Sequence, residues 1–194
     1  MVLVFTFVDA VASYVQTHEP VLIAALVLNI GFLIALSCCP GVARTYPGNM
    51  LCLAGFTLAE GYLLGAVASA HGGVAVAKAV ACTVVLTAAL TAYAWQTRVD
   101  YTAMGGALLA GLVSLMLFGL LCAIFQSELL SNLYAGAGAL LFSFYLVYDT
   151  QLVIGGAHHS HKFEVDDYVF AALNIYIDIV QLFLYMLRLF GSRD

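Results

Sequence analysis

Apolar residues recur in six long runs separated by short polar and turn-forming stretches, and this alternation uses nearly the whole chain. The runs are Val21–Cys39, Met50–Ala70, Gly73–Trp95, Ala103–Phe125, Leu133–Ile154 and Tyr168–Phe190. Each approaches or exceeds the roughly 20 residues that a helix needs to cross a hydrocarbon core about 30 Å thick. The connections Pro40–Asn49, Gln96–Thr102, Gln126–Asn132 and Gly155–Asp167 are too short for a soluble domain, so a single integral domain over 1–194 is expected. A seventh stretch, Met1–Val8, is apolar but ends at Asp9, and reads as the tail of a further span with no signal peptide. The fold expected is all-α: six full transmembrane helices plus a partial first one.

Composition agrees with that pattern and removes alternatives. Of 194 residues 64% are hydrophobic and 9% charged, with mean hydropathy +1.04; soluble domains carry about 25% charged residues. The net charge of −5 comes with no basic cluster, which argues against a nucleic-acid partner and leaves the lipid bilayer as the first one. Arg44, Arg98 and Lys162 occupy alternate connections, which assigns that face to the cytosol, although Arg188 and Arg193 near the C-terminus oppose the assignment. Cys52, Cys82 and Cys122 read as small hydrophobes within spans. Cys38 and Cys39 lie where a thiol meets the acyl boundary, and palmitoylation stays open there. His158, His159 and His161 precede Glu164, Asp166 and Asp167 and read as a solvated loop with no fixed ligand geometry.

Charged groups inside spans are the candidate chemistry, because a carboxylate at the centre of a membrane helix costs about 2.5–3.5 kcal/mol. Asp149 lies near the end of the fifth run and Asp178 near the middle of the sixth. If these are neighbouring antiparallel helices, the two fall at similar depth. Two close carboxyl groups in low dielectric resist joint ionisation and share a proton. With the proton they can bond to each other and hold two helices together. Doubly ionised, they repel and offer oxygens to a passing cation. Calcium takes 6–8 oxygens, which the pair, Asn174, Gln181 and waters supply in part. The competing reading is a static interhelical hydrogen bond.

Asn174, Asp178, Gln181 and Tyr185 fall on one helical face, which is expected to turn away from lipid. Gly138, Phe142, Tyr145 and Asp149 line up likewise on the preceding helix. Glu60, beside Gly61 and Gly65, is either lining of a polar pathway or structural glue.

QTRVDYT (96–102), GALLFSFYLVYDTQL (138–152) and the block from Asp166 to Gly191 resemble the Bax inhibitor family of transmembrane proteins, specifically its Lifeguard branch. FTLAEGYLLG (56–65) and the connection 38–49 are similar to that branch too. The resemblance implies a seven-helix bundle with the last helix held centrally, and a first helix of which this chain begins near the end. It implies a calcium leak of endomembranes, with calcium as the permeant ion and no cofactor, regulated by pH through an aspartate pair that falls on Asp149 and Asp178. It also implies suppression of cell death, residence in the endoplasmic reticulum or Golgi with the plasma membrane as alternative, and partners among death-signalling or calcium-handling membrane proteins. An arginine latch of bacterial relatives is matched nearest by Arg44. A non-conducting regulator is the alternative function. An intramembrane aspartyl protease is a further one, and the expectation is against an enzyme because the surroundings of Asp178 read YIDI rather than GxGD and no PAL motif follows.

Overall fold

The computed structural model describes residues 5–6, 15, 17–155 and 160–191. Among them are helices α1 (Glu19–Cys38), α2 (Pro40–Ala43), α3 (Gly48–Ser69), α4 (Gly73–Gln96), α5 (Gly105–Phe125), α6 (Glu128–Ile154) and α7 (Tyr168–Phe190), and no strand. Six, all but α2, are long and apolar enough to cross a membrane. The protein is a multi-pass α-helical membrane protein. Apart from Phe5 and Thr6, the apolar stretch Met1–Val8 lies outside the described residues, as do His158 and His159.

The helices start and stop where chain chemistry changes. Pro20 sits in the first turn of α1, where a missing N–H costs nothing, and Glu19 beside it favours the positive end of the helix dipole. Two expected connections are shorter than the hydropathy pattern suggests. Pro40–Ala43 forms a helical turn, and α6 begins at Glu128 rather than Leu133. Glu128 in its first turn favours the positive end of the helix dipole and starts that helix among polar residues which a hydropathy window leaves out. The turn before it is closed by Gln126 in the left-handed region, φ 46°.

The described residues divide into two compact units. The first, containing α1, α2, α3 and the start of α7 to Leu173, is organised by α1 packing along α3. Gly55 of α3 makes room for the Phe32 ring of α1: a Cβ there would stand 2.6 Å from it. The second contains the remainder of α4, then α5, α6 and α7 from Asn174. Its core joins Leu115, Ala135, Ala139, Phe142, Leu146, Leu182 and Tyr185.

Burial separates the helices. Half of the most apolar window of α6 and 39% of that of α7 is buried, against 17% in α1, α4 and the span that includes α5. The last two helices therefore have the largest share of their surface against protein.

Candidate functional site

One face of α6 is buried, small at Ala135, Gly138 and Ala139 and larger from Phe142 through Leu146 to Asp149. On α7 the corresponding row is Asp178, Leu182 and Tyr185, also buried. Gly138 lets the helices close, because any Cβ there would run into the Tyr185 ring. Phe142 stacks tilted against Tyr185 at 5.8 Å, and Tyr134 meets that ring edge-on at 5.6 Å with the two hydroxyls 3.3 Å apart. Arg188 closes this end, donating to Ser131 Oγ at 3.0 Å with its guanidinium 4.9 Å from the Tyr134 ring centre.

Where that aromatic packing ends, the same two helices bring Asp149 and Asp178 into side-chain hydrogen-bonding contact, with 6% and 3% of their surface exposed. Two carboxyl groups can bond only if one proton lies between them. With both ionised, like charges about 4 Å apart repel by roughly 4 kcal/mol at an effective dielectric of 20. Asp178 Oδ2 is buried with no hydrogen-bond partner. Tyr145, half-buried one turn before Asp149, lies close enough to feel both carboxyl groups. No cluster of three or more acidic, His or Cys side chains exists among the described residues. Four carboxyl oxygens fall short of the 6–8 of a resting calcium shell.

The expected polar stripe on α7 divides. Asp178 and Tyr185 are buried, whereas Asn174 and Gln181 are half-buried, as are Ile177 and Leu184. Hence the stripe does not separate a protein face from a lipid face, because α7 is enclosed over a wide arc that also takes in Leu173, Val180, Phe183 and Leu187.

Glu60 belongs to the first unit. It accepts a 2.8 Å hydrogen bond from Asn29 Nδ2 of α1, and Asn29 is itself buried. Gly65, one turn on, receives the Phe5 ring, which a Cβ would approach to 2.6 Å. Arg44 pairs with Asp167 at the foot of α7, through Nε and a second nitrogen each 2.8 Å from Oδ1. Its partner is thus the turn preceding the last helix, and Asn49 reinforces that point by donating to the Tyr168 hydroxyl at 2.7 Å.

The second unit has its own fastening. Asp100 accepts from Thr102 N and Oγ1 through one oxygen, and from Ser160 N and Oγ through the other, at 2.6–3.0 Å. Gln151, fully buried, spans Val99 O and Tyr101 N. The hydrogen bonds from Thr102 and Ser160 hold the Asp100 carboxyl well below the usual carboxylate range. A depressed folded value means that these bonds contribute above the unfolded value of about 3.9 and are lost only as pH falls through the folded one. The bonds to Asp100 are constant through neutral and mildly acidic pH. Asp100→Ala should accelerate amide hydrogen exchange at Ser160 and Thr102 without altering the pH response of the protein; unchanged exchange at both would show that the carboxylate does not hold the loop.

Asn29, Asp100, Gln151 and Asp167 escaped sequence reasoning as participants. For Asn29 the signal was available, since an amide within ALVLNIGFLIAL carries the same desolvation cost that singled out the acids. For the others only pairing reveals the role.

A polytopic helical membrane protein with an acidic pair buried between its last two spanning helices is the class that fold and geometry define. Residues 1–194 match the family described as Bax1-I, inhibitor of apoptosis-promoting Bax1, and the chain belongs to that family. It is 35% identical to protein lifeguard 3 of Mus musculus and 34% to that of Homo sapiens, over 100% of this chain and 63% of each relative. It is 33% identical to the Golgi anti-apoptotic protein of Vaccinia virus (strain Lister), over 96% of this chain and 75% of that protein. The chain thus spans somewhat under two thirds of the length of the lifeguard relatives.

Proposed function

We propose that this chain is a passive, pH-sensitive calcium leak of an intracellular membrane, through which it suppresses apoptosis. One observation carries the reading: two acids in adjacent membrane-spanning helices are buried in mutual contact, where they can exist closed around one proton or apart as two charges. With the proton, α6 and α7 are held together and the path is shut. Without it, repulsion separates the helices and presents carboxylate oxygens to calcium. The names of the relatives support the anti-apoptotic role and a Golgi or neighbouring endomembrane location. Calcium is the cargo, and no catalytic step is assigned to any residue.

Purified full chain in liposomes should release trapped calcium faster than protein-free liposomes. No release at any pH from 5 to 8 would overturn the leak and leave a non-conducting regulator that binds other membrane proteins. In the same assay Glu60→Gln should change the amplitude of flux while leaving its pH midpoint in place. The substitution keeps an oxygen for Asn29 and removes only the charge, on a helix that carries neither aspartate. A midpoint displaced by about a pH unit would place Glu60 in the titrating element instead.

A further inference from the structure

Thr91 and Trp95 of α4, Thr150, Val153 and Ile154 of α6, and Ile175 of α7 line a groove of about 490 Å³ within the second unit. That volume lies in the range of small-molecule sites, about 300–1,000 Å³. Its walls are those of a lipid-facing surface: Trp95 is 74% exposed, Val153 48% and Ile154 40%. Trp95 is the penultimate residue of α4, the level at which an indole marks the boundary between hydrocarbon and headgroups.

The rim beyond Trp95 is basic. Arg98 follows three residues later and is exposed. Lys162 reaches the other side: its Cβ and Cδ lie 3.6 and 3.7 Å from where a Cβ on Gly155 would stand, immediately after Ile154. The loop is anchored there, since Phe163 N donates to Leu152 O at 3.0 Å and Ser160 is bound to Asp100. Among the described residues neither Arg98 nor Lys162 is in an ion pair. Two cations in no ion pair thus stand beside the mouth of an apolar groove, with the Asp100 carboxylate near them taken up by Thr102 and Ser160, on the face assigned to the cytosol, where the leaflet is rich in anionic lipid.

We propose that this groove is a binding site for one anionic phospholipid, with an acyl chain along Trp95, Val153, Ile154 and Ile175 and the phosphate held between Arg98 and Lys162. The two helices that carry the aspartate pair supply four of the six lining residues, and Thr150 adjoins Asp149. An occupied groove therefore braces the contact of α6 with α7.

Trp95 is the one tryptophan of the chain, so its fluorescence reports this place alone. The full chain is reconstituted in phosphatidylcholine vesicles containing increasing fractions of phosphatidylserine or phosphatidylcholine with dibrominated acyl chains, which quench indole on contact. The expected result is half-maximal quenching by the serine lipid at a mole fraction at least about threefold lower than by the choline lipid, a preference that narrows with added salt. The double substitution Arg98→Gln and Lys162→Gln should make the two curves coincide. Ile175→Phe, which fills the groove and keeps both cations, should also remove the preference. Coincident curves for the unmodified chain, or a preference that survives either substitution, would overturn the site.

Discussion

Replacing Asp149 or Asp178 by Asn should flatten the pH dependence of calcium flux, leaving less than about a twofold change between pH 5 and 8. In the unmodified protein flux should rise with pH, with a midpoint inside that range. Control by a single proton limits the slope to about tenfold per pH unit. Asn is the informative replacement because it matches the volume of Asp and can still hydrogen-bond to the remaining carboxyl group, so the packing of α6 on α7 is kept while repulsion and titration are both removed. Baseline flux is free to change in either variant, and the diagnostic is the lost pH response. Liposome efflux at closely spaced pH values measures it. A titration unchanged in both variants would falsify the gate and return the pair to the role of static interhelical glue.

The fastening on the Arg98 face makes this test cleaner. Asp100 stays ionised across the range assayed, so the bonds it accepts from Thr102 and Ser160 do not titrate there. Arg44 and Asp167 hold the foot of α7 in the first unit through an ion pair. In the second unit a pH response assigned to Asp149 and Asp178 therefore does not arise from protonation of Asp100.

Hydropathy alone located the six spanning helices to within a few residues, because the bilayer demands about 20 apolar residues wherever a helix crosses. It placed the start of α6 five residues late, since Glu128, Ser131 and Asn132 are helical yet polar and a transfer scale records only the apolar part. Both aspartates stood out for the same energetic reason, and antiparallel succession was enough to suggest that they meet. The stripe on α7 was legible only in part. Period 3.6 orders residues around a helix, but it does not say how much of the circumference neighbours cover, and here the cover extends past Ile177 and Leu184. Arg44 stood out only as the nearest match to a latch arginine, and its partner Asp167, 123 residues away, is beyond the reach of any local pattern.

Gly138→Ala should be the most damaging small substitution in the second unit, because the added methyl enters the space of the Tyr185 ring between two helices that cannot part without unpacking Phe142 and Tyr134. Overpacking of this kind costs about 1–3 kcal/mol. Tyr185→Ala alone should be costly as well, about 3–5 kcal/mol, since it empties the centre of the aromatic cluster. Together the two should cost less than their sum by about 0.5–3 kcal/mol, the ring and the methyl no longer competing for one place. Unfolding of the four proteins in mixed detergent micelles supplies the cycle, and strict additivity would show that α6 and α7 do not close at this glycine. The substitution also bears on the gate. Gly138 lies 11 residues before Asp149, about three turns or roughly 16 Å along α6. A methyl that wedges α7 away there weakens the contact on which the shared proton depends. Gly138→Ala should therefore raise flux at pH 5–6, where the unmodified protein is shut, and Tyr185→Ala in the same chain should lower it again. Flux at acid pH indifferent to both would separate the aromatic packing from control of the pair.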